Sequence, residues 1–190
     1  MIHGFTFDRF FELSLYTGSN VFRSRNKNDT LPMKKVAIFV DVQNVYYTAR
    51  QAFGKNYDYN KFWQMATRNR KVYKAVAYAI DRGDPKQQEF QNILRAIGFE
   101  VKLKPYIQRS DGSAKGDWDV GITIDIMECA DACDVVVLVS GDGDFDLLAS
   151  KVRDEKGKRV EVYGVATLTA NSLKIAASEF IPIDKSLLLV

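Results

Sequence analysis

Val135-Val136-Val137-Leu138-Val139-Ser140-Gly141-Asp142-Gly143-Asp144-Phe145 opens with five aliphatic residues and closes on two carboxylates set between glycines. A short apolar run ending in small residues reads as a buried parallel strand, because a strand covered by helices on both faces loses the polar alternation of a half-exposed one. Open α/β sheets place their ligand crevice beyond the carboxyl ends of such strands. Asp142 and Asp144 therefore fall at the edge where a ligand would bind. Asp144 also has a purely structural reading, as the N-cap of a helix beginning at Asp146, since aspartate is a favoured capping residue. The chain repeats the arrangement upstream: Val36-Ala37-Ile38-Phe39-Val40 ends in Asp41, with the amide Asn44 shortly after.

Outward from these two runs, strand-like and helix-like patterns alternate. Strands are expected at 36–40, 73–80, 101–107, 135–139, 160–165 and 180–183. Helices are expected at 44–52, 60–68, 87–97, 119–130, 146–155 and 171–177. Gly98 and Gly157 follow helical stretches and suit helix termination, because glycine enters the left-handed region without strain. Strands separated by helices imply right-handed crossovers and a mostly parallel sheet of five or six strands, covered on both faces. The fold expected is a three-layer, Rossmann-like α/β domain. Residues 1–32 differ in character: Phe5, Phe7, Phe10 and Phe11 precede a polar stretch carrying Arg23, Arg25 and Lys27. They read as an extension or linker before a domain at 33–190, and Met33 is itself a natural beginning for the first strand.

Composition narrows the chemistry. The 190 residues are 46% hydrophobic and 27% charged, as in an ordinary globular protein. A net charge of +3 and a pI near 8.7 allow an anionic partner without demanding one. The single histidine, His3, lies in the extension, which removes histidine-based nucleophilic catalysis and histidine metal sites from the main body. Cys129 and Cys133 are too few for a disulfide framework or a four-ligand zinc site and read as packed thiols of a cytoplasmic protein. No apolar run approaches the roughly 20 residues that span a bilayer, so no membrane partner is expected.

The polar segment from Gln108 to Asp117 leads into Asp119 at a helix start, where an acid also complements the helix dipole. Asp41, Asn44, Asp119, Asp142 and Asp144 thus form one candidate constellation. Carboxylates gathered in a crevice repel one another unless a cation compensates, and hard oxygen donors without histidine or thiolate favour Mg²⁺ or Mn²⁺. Asp125, six residues beyond Asp119, is turned about 120° around the helix and displaced by about 9 Å, which makes it a rim or supporting residue. Lys115 is either a solvated loop lysine or a contact to phosphate.

Four blocks together resemble the NYN domain family, and most closely its LabA-like bacterial branch. They are Val36 through Asn44, Lys115-Gly116-Asp117-Trp118-Asp119 with Asp125, Val139 through Phe145, and Gly157-Lys158-Arg159-Val160-Glu161-Val162-Tyr163-Gly164. The resemblance runs from about residue 34 to 183. It implies a PIN-like ribonuclease fold and a metal-dependent nuclease core in which Asp41, Asn44, Asp119, Asp142 and Asp144 match the family's acidic site. The family's Lys-Gly-x-Asp element carries an extra acid here, so Asp117 and Asp119 compete for one role. Ser178 stands where the family usually has aspartate.

Substrate handling is less legible. RNA is the partner the resemblance implies, single-stranded if Tyr46, Tyr47 and Trp118 stack on unpaired bases. Lys102, Lys104, Tyr106, Arg68, Arg70, Lys71 and Arg109 offer a positive rim. Lysines on an edge strand equally guard against aggregation, and aromatics beside strands are usually core. The competing function is a non-catalytic NYN module, an RNA- or protein-binding adaptor, for which a homodimer is a natural form. A dehalogenase-like phosphatase would need aspartate at Gln43, and a dinucleotide-binding enzyme would need a glycine-rich turn in place of Asp41-Val42-Gln43-Asn44.

Overall fold

The computed structural model describes residues 32–190, apart from 82, 106, 109–113 and 116 and the side chains of 107, 108, 114 and 115. The expected extension and the side chains of Tyr106, Arg109 and Lys115 lie outside the described residues.

Among the described residues, eight strands and six α-helices follow in order: β1 (Lys34–Asp41), α1 (Val42–Phe53), α2 (Tyr59–Thr67), β2 (Arg70–Asp81), α3 (Pro85–Ile97), β3 (Glu100–Pro105), β4 (Ile107–Gln108), β5 (Ala114–Lys115), α4 (Asp119–Cys129), β6 (Val135–Val139), α5 (Asp146–Asp154), β7 (Arg159–Gly164), α6 (Asn171–Ala176) and β8 (Glu179–Pro182). The main sheet has six strands, ordered β3-β2-β1-β6-β7-β8, and every pairing in it is parallel. β4 and β5 pair antiparallel, drawing Gln108, Ala114 and Lys115 of the expected polar segment into a short ladder with Ile107, expected at the end of the strand 101–107.

Continuous apolar strands are explained by two cores. Val36, Ile38 and Val40 of β1 pack with Val45 and Ala49 of α1, Phe62 of α2 and Leu94 of α3. The alternate residues Ala37 and Phe39 pack on the opposite face with Ile122 and Ile126 of α4, Val152 of α5 and Leu173 of α6. Side chains alternate across a strand, so a helix layer on each side demands apolar residues at every position. Each fully buried aliphatic or aromatic side chain contributes about 1.5–3 kcal/mol of transfer free energy. Gly98 closes α3 at φ 127°, and a Cβ there would meet Trp63 Cη2 at 2.8 Å.

The strand order places the site. From β1 the chain moves outward to β2 and β3, then returns to lay β6 on the other side of β1. The crossovers after β1 and β6 therefore diverge to opposite faces and open a crevice between the two carboxyl ends. Val40 pairs with Val139, which sets Asp41 abreast of Ser140. No helix among the described residues is long and apolar enough to cross a membrane.

Candidate active site

Asp41 ends β1 and caps α1: its Oδ1 accepts the Asn44 backbone N–H at 3.1 Å. Its Oδ2 accepts the Ser140 hydroxyl at 3.4 Å. Burial raises the carboxyl's pKa, and the Asn44 N–H and Ser140 hydroxyl oppose that rise. The Gly141 N–H donates to Asn44 Oδ1 at 2.9 Å, tying the loop after β6 to the first turn of α1.

The capping role expected for Asp144 belongs instead to Asp142. Asp142 Oδ1 accepts the Asp144 N–H at 3.0 Å and opens a 3₁₀ turn, Gly143–Phe145, while α5 starts without a side-chain cap. The inserted turn moves the helix start beyond Asp144 and leaves its carboxylate free of that duty. Ser140, given no role by the sequence, binds both sides of this loop: its hydroxyl also accepts the Asp142 N–H at 3.3 Å. Its signal in the sequence is a hydroxyl at the end of a central strand.

Asp119 enters from the first turn of α4. Burial, then the charges of Asp142, Asp41, Asp117 and Asp144, push its carboxyl up to about 6. One oxygen each from Asp119, Asp142 and Asp144 lie within 4.8 Å of one another. Asp41, Asn44 and Tyr47 on one side and Asp117, Trp118, Asp119 and Asp142 on the other line a cleft of about 260 Å³. Among the described residues lining it, none is a lysine or an arginine. The structure thus brings Asp41, Asn44, Asp119, Asp142 and Asp144 to one end of the sheet. Asp117 joins the wall, and its charge acts on Asp119.

Asp125 is not at the rim. It is 7% exposed, and its Oδ2 accepts the Tyr78 hydroxyl at 2.5 Å and the Lys102 ammonium at 2.6 Å. Burial would raise its pKa, but the two donors hold the carboxyl below the usual aspartate value. Rotation around α4 turns it inward, where it fastens the helix to β2 and β3 and does not line the cleft. Lys102 is committed to that bond. Lys104 donates to Asp117 O at 2.6 Å and sits 4.5 Å from the Trp118 ring centre. Trp118 lines the cleft but is held in place, with its indole N–H donating to Ala79 O at 2.9 Å. Ser178 makes a local backbone bond instead of joining the acids: its hydroxyl accepts the Val160 N–H at 3.0 Å.

A family model described as NYN domain matches residues 35–184, from β1 through β8. The chain belongs to the NYN domain family. This NYN domain is LabA-like: the Low amplitude and bright protein LabA of Synechococcus elongatus is 27% identical over 158 residues, 79% of this chain and 84% of that protein. The crystal structure of a Vibrio parahaemolyticus protein of unknown function matches with a TM-score of 0.79 at 57% identity, over 83% of this chain and 97% of that one. The carboxylate-lined crevice is thus carried on the fold of an NYN domain, in the PIN-like nuclease superfamily.

Proposed function

We propose that this NYN domain is a ribonuclease that uses Mg²⁺ or Mn²⁺ to hydrolyse phosphodiester bonds in single-stranded RNA. The observation that carries the reading is the meeting of Asp119, Asp142 and Asp144 within 4.8 Å, beside a cleft that Asp41, Asp119 and Asp142 line. Two like charges about 4 Å apart near a protein surface repel by about 4 kcal/mol. The caps that Asp41 and Asp142 supply contribute only about 0.5–2 kcal/mol each, so capping alone does not account for the cluster. A divalent cation does, and the donor set, oxygen only, suits a hard ion.

Asp119, Asp142 and Asp144 would hold the cation, with Asp144 on the exposed side where water reaches it, and Asp41, which lines the same cleft, would complete the set. A bound ion there supplies positive charge for the phosphoryl oxygens and lowers the pKa of water. Asn44, its carbonyl engaged by Gly141, is left with amide N–H donors for a substrate oxygen. Burial and the neighbouring acids hold the Asp119 carboxyl up at about 6 in the metal-free chain, and a bound cation would offset the repulsion among them. We place the protein in the cytoplasm, in keeping with the free, buried thiols of Cys129 and Cys133.

The test is incubation of the purified chain with end-labelled single-stranded RNA in Mg²⁺ or Mn²⁺, in chelator, and beside Asp142→Asn. Cleavage abolished by both chelator and substitution is expected. Cleavage that survives both, or none under any condition, overturns the reading, and the second outcome leaves a binding adaptor.

A further inference from the structure

We infer that the outer face of α1 is a ridge for single-stranded nucleic acid, on which Tyr47 stacks an unpaired base and Arg50 contacts the neighbouring phosphate. The inference rests on the nuclease reading and adds the side of the cleft along which the strand runs.

Val42, Val45 and Ala49 already anchor α1 to the sheet. Tyr46 and Tyr47 are not needed for that purpose. They stand 46% and 51% exposed on adjacent positions of the helix, with ring centres 5.4 Å apart at 74°. Tyr47 also lines the acid cleft beside Asp41 and Asn44. An aromatic ring half in solvent at the mouth of a carboxylate pocket, outside the buried core, offers a face to a planar ligand.

The two rings have different tasks. The Arg50 guanidinium lies 5.6 Å from the Tyr46 ring centre and donates to Asn56 Oδ1 at 3.3 Å. Tyr46 and Asn56 thus orient a cation with further N–H donors to spare for a phosphate. Tyr47 remains as the stacking ring, next to the acids. Aromatic faces beside a cation fit a strand whose bases are unpaired, since every base has a π-face and none is available inside a duplex. The patch is also continuous with the acid cleft, which favours this occupant over a protein surface.

The experiment measures binding by fluorescence anisotropy, with the full chain in Mg²⁺ and Asp142→Asn in every arm to suppress cleavage. The probes are a labelled 12-nucleotide single strand and a duplex of the same length. Tyr47→Ala is expected to weaken single-strand binding by roughly five- to a hundred-fold and duplex binding far less, while Tyr47→Phe keeps the parental affinity. Thermal melting confirms that each variant is folded. If the parent binds the single strand and Tyr47→Ala binds it equally well, the ridge is wrong and the nuclease reading stands. If the parent binds neither probe, both fall. Unchanged affinity together with loss of a dimer in sedimentation assigns the face to a second copy and also overturns the inference.

Discussion

The side-chain carbonyl of Asn44 accepts the backbone N–H of Gly141 at 2.9 Å, joining the first turn of α1 to a loop 97 residues away in sequence. This bond ties the start of the crossover after β1 to the loop after β6 at the base of the crevice. Asn44→Ala leaves the Gly141 N–H without its partner and is expected to cost about 1–3 kcal/mol. For a chain of this size that is a fall in melting temperature of about 2–4 °C per kcal/mol. Asn44→Asp keeps an acceptor but adds a charge. Its melting temperature should fall in chelator and recover with Mg²⁺ by more than the parent's rises, because the ion binds only the folded chain.

Asp119 sets a pH dependence in metal-free protein. Its carboxyl is raised from 3.8 to about 6, so between those values the folded chain binds more protons than the unfolded one. Stability from this group is complete below pH 3.8 and lost as pH rises through about 6. Melting curves in chelator should show that decline, and Asp119→Asn should flatten it. Mg²⁺ should raise the melting temperature more at pH 7.5 than at pH 5. An equal effect at both values would contradict the assignment.

Asp125→Asn removes the charge that Lys102 and Tyr78 share. Lys102 is left beside a neutral amide, and the expected cost is about 2 kcal/mol, below that of a fully buried pair because its side chain is 31% exposed. The stabilisation is present above the unfolded aspartate value and lost as pH falls through the lower folded one. Urea titration should show a lower midpoint with the same slope. Single-strand affinity of the folded variant should match the parent, since this carboxylate does not line the cleft.

Gly98 and Gly157 are both left-handed, at φ 127° and 62°, but their surroundings differ. A Cβ at Gly98 meets Trp63 Cη2 at 2.8 Å, whereas at Gly157 nothing lies within 4 Å. Gly157→Ala should cost about 1–2 kcal/mol from backbone strain alone. Gly98→Ala should cost more, by the work of displacing the indole. Equal losses in chemical denaturation would show that Trp63 moves freely.

Local pattern located the elements because burial on both faces writes itself into sequence. The run 135–139 was expected as a strand and is β6, Val135–Val139, to the residue. β2 was expected at 73–80 but extends to Arg70–Asp81, because pairing with β1 continues back to the charged Arg70 and Lys71 and pairing with β3 carries on to Asp81. The four acids at strand and helix ends were legible for the same reason that capping obscured them: aspartate serves both purposes at those positions. Asp144 shows how the ambiguity resolves, since one 3₁₀ turn passes the cap to Asp142.

By itself, then, the sequence determined an α/β alternation, the ends of its helices to within one or two residues, and acids at the ends of two apolar strands. These depend on residues a few positions apart. Only the tertiary structure decided that β1 and β6 are neighbours, that Asp119 reaches the acids of the β6 loop, and that Asp125 turns inward to Lys102 and Tyr78. Strand order and helix rotation are fixed by contacts between distant segments, and a carboxylate's role follows from which partners those contacts bring to it.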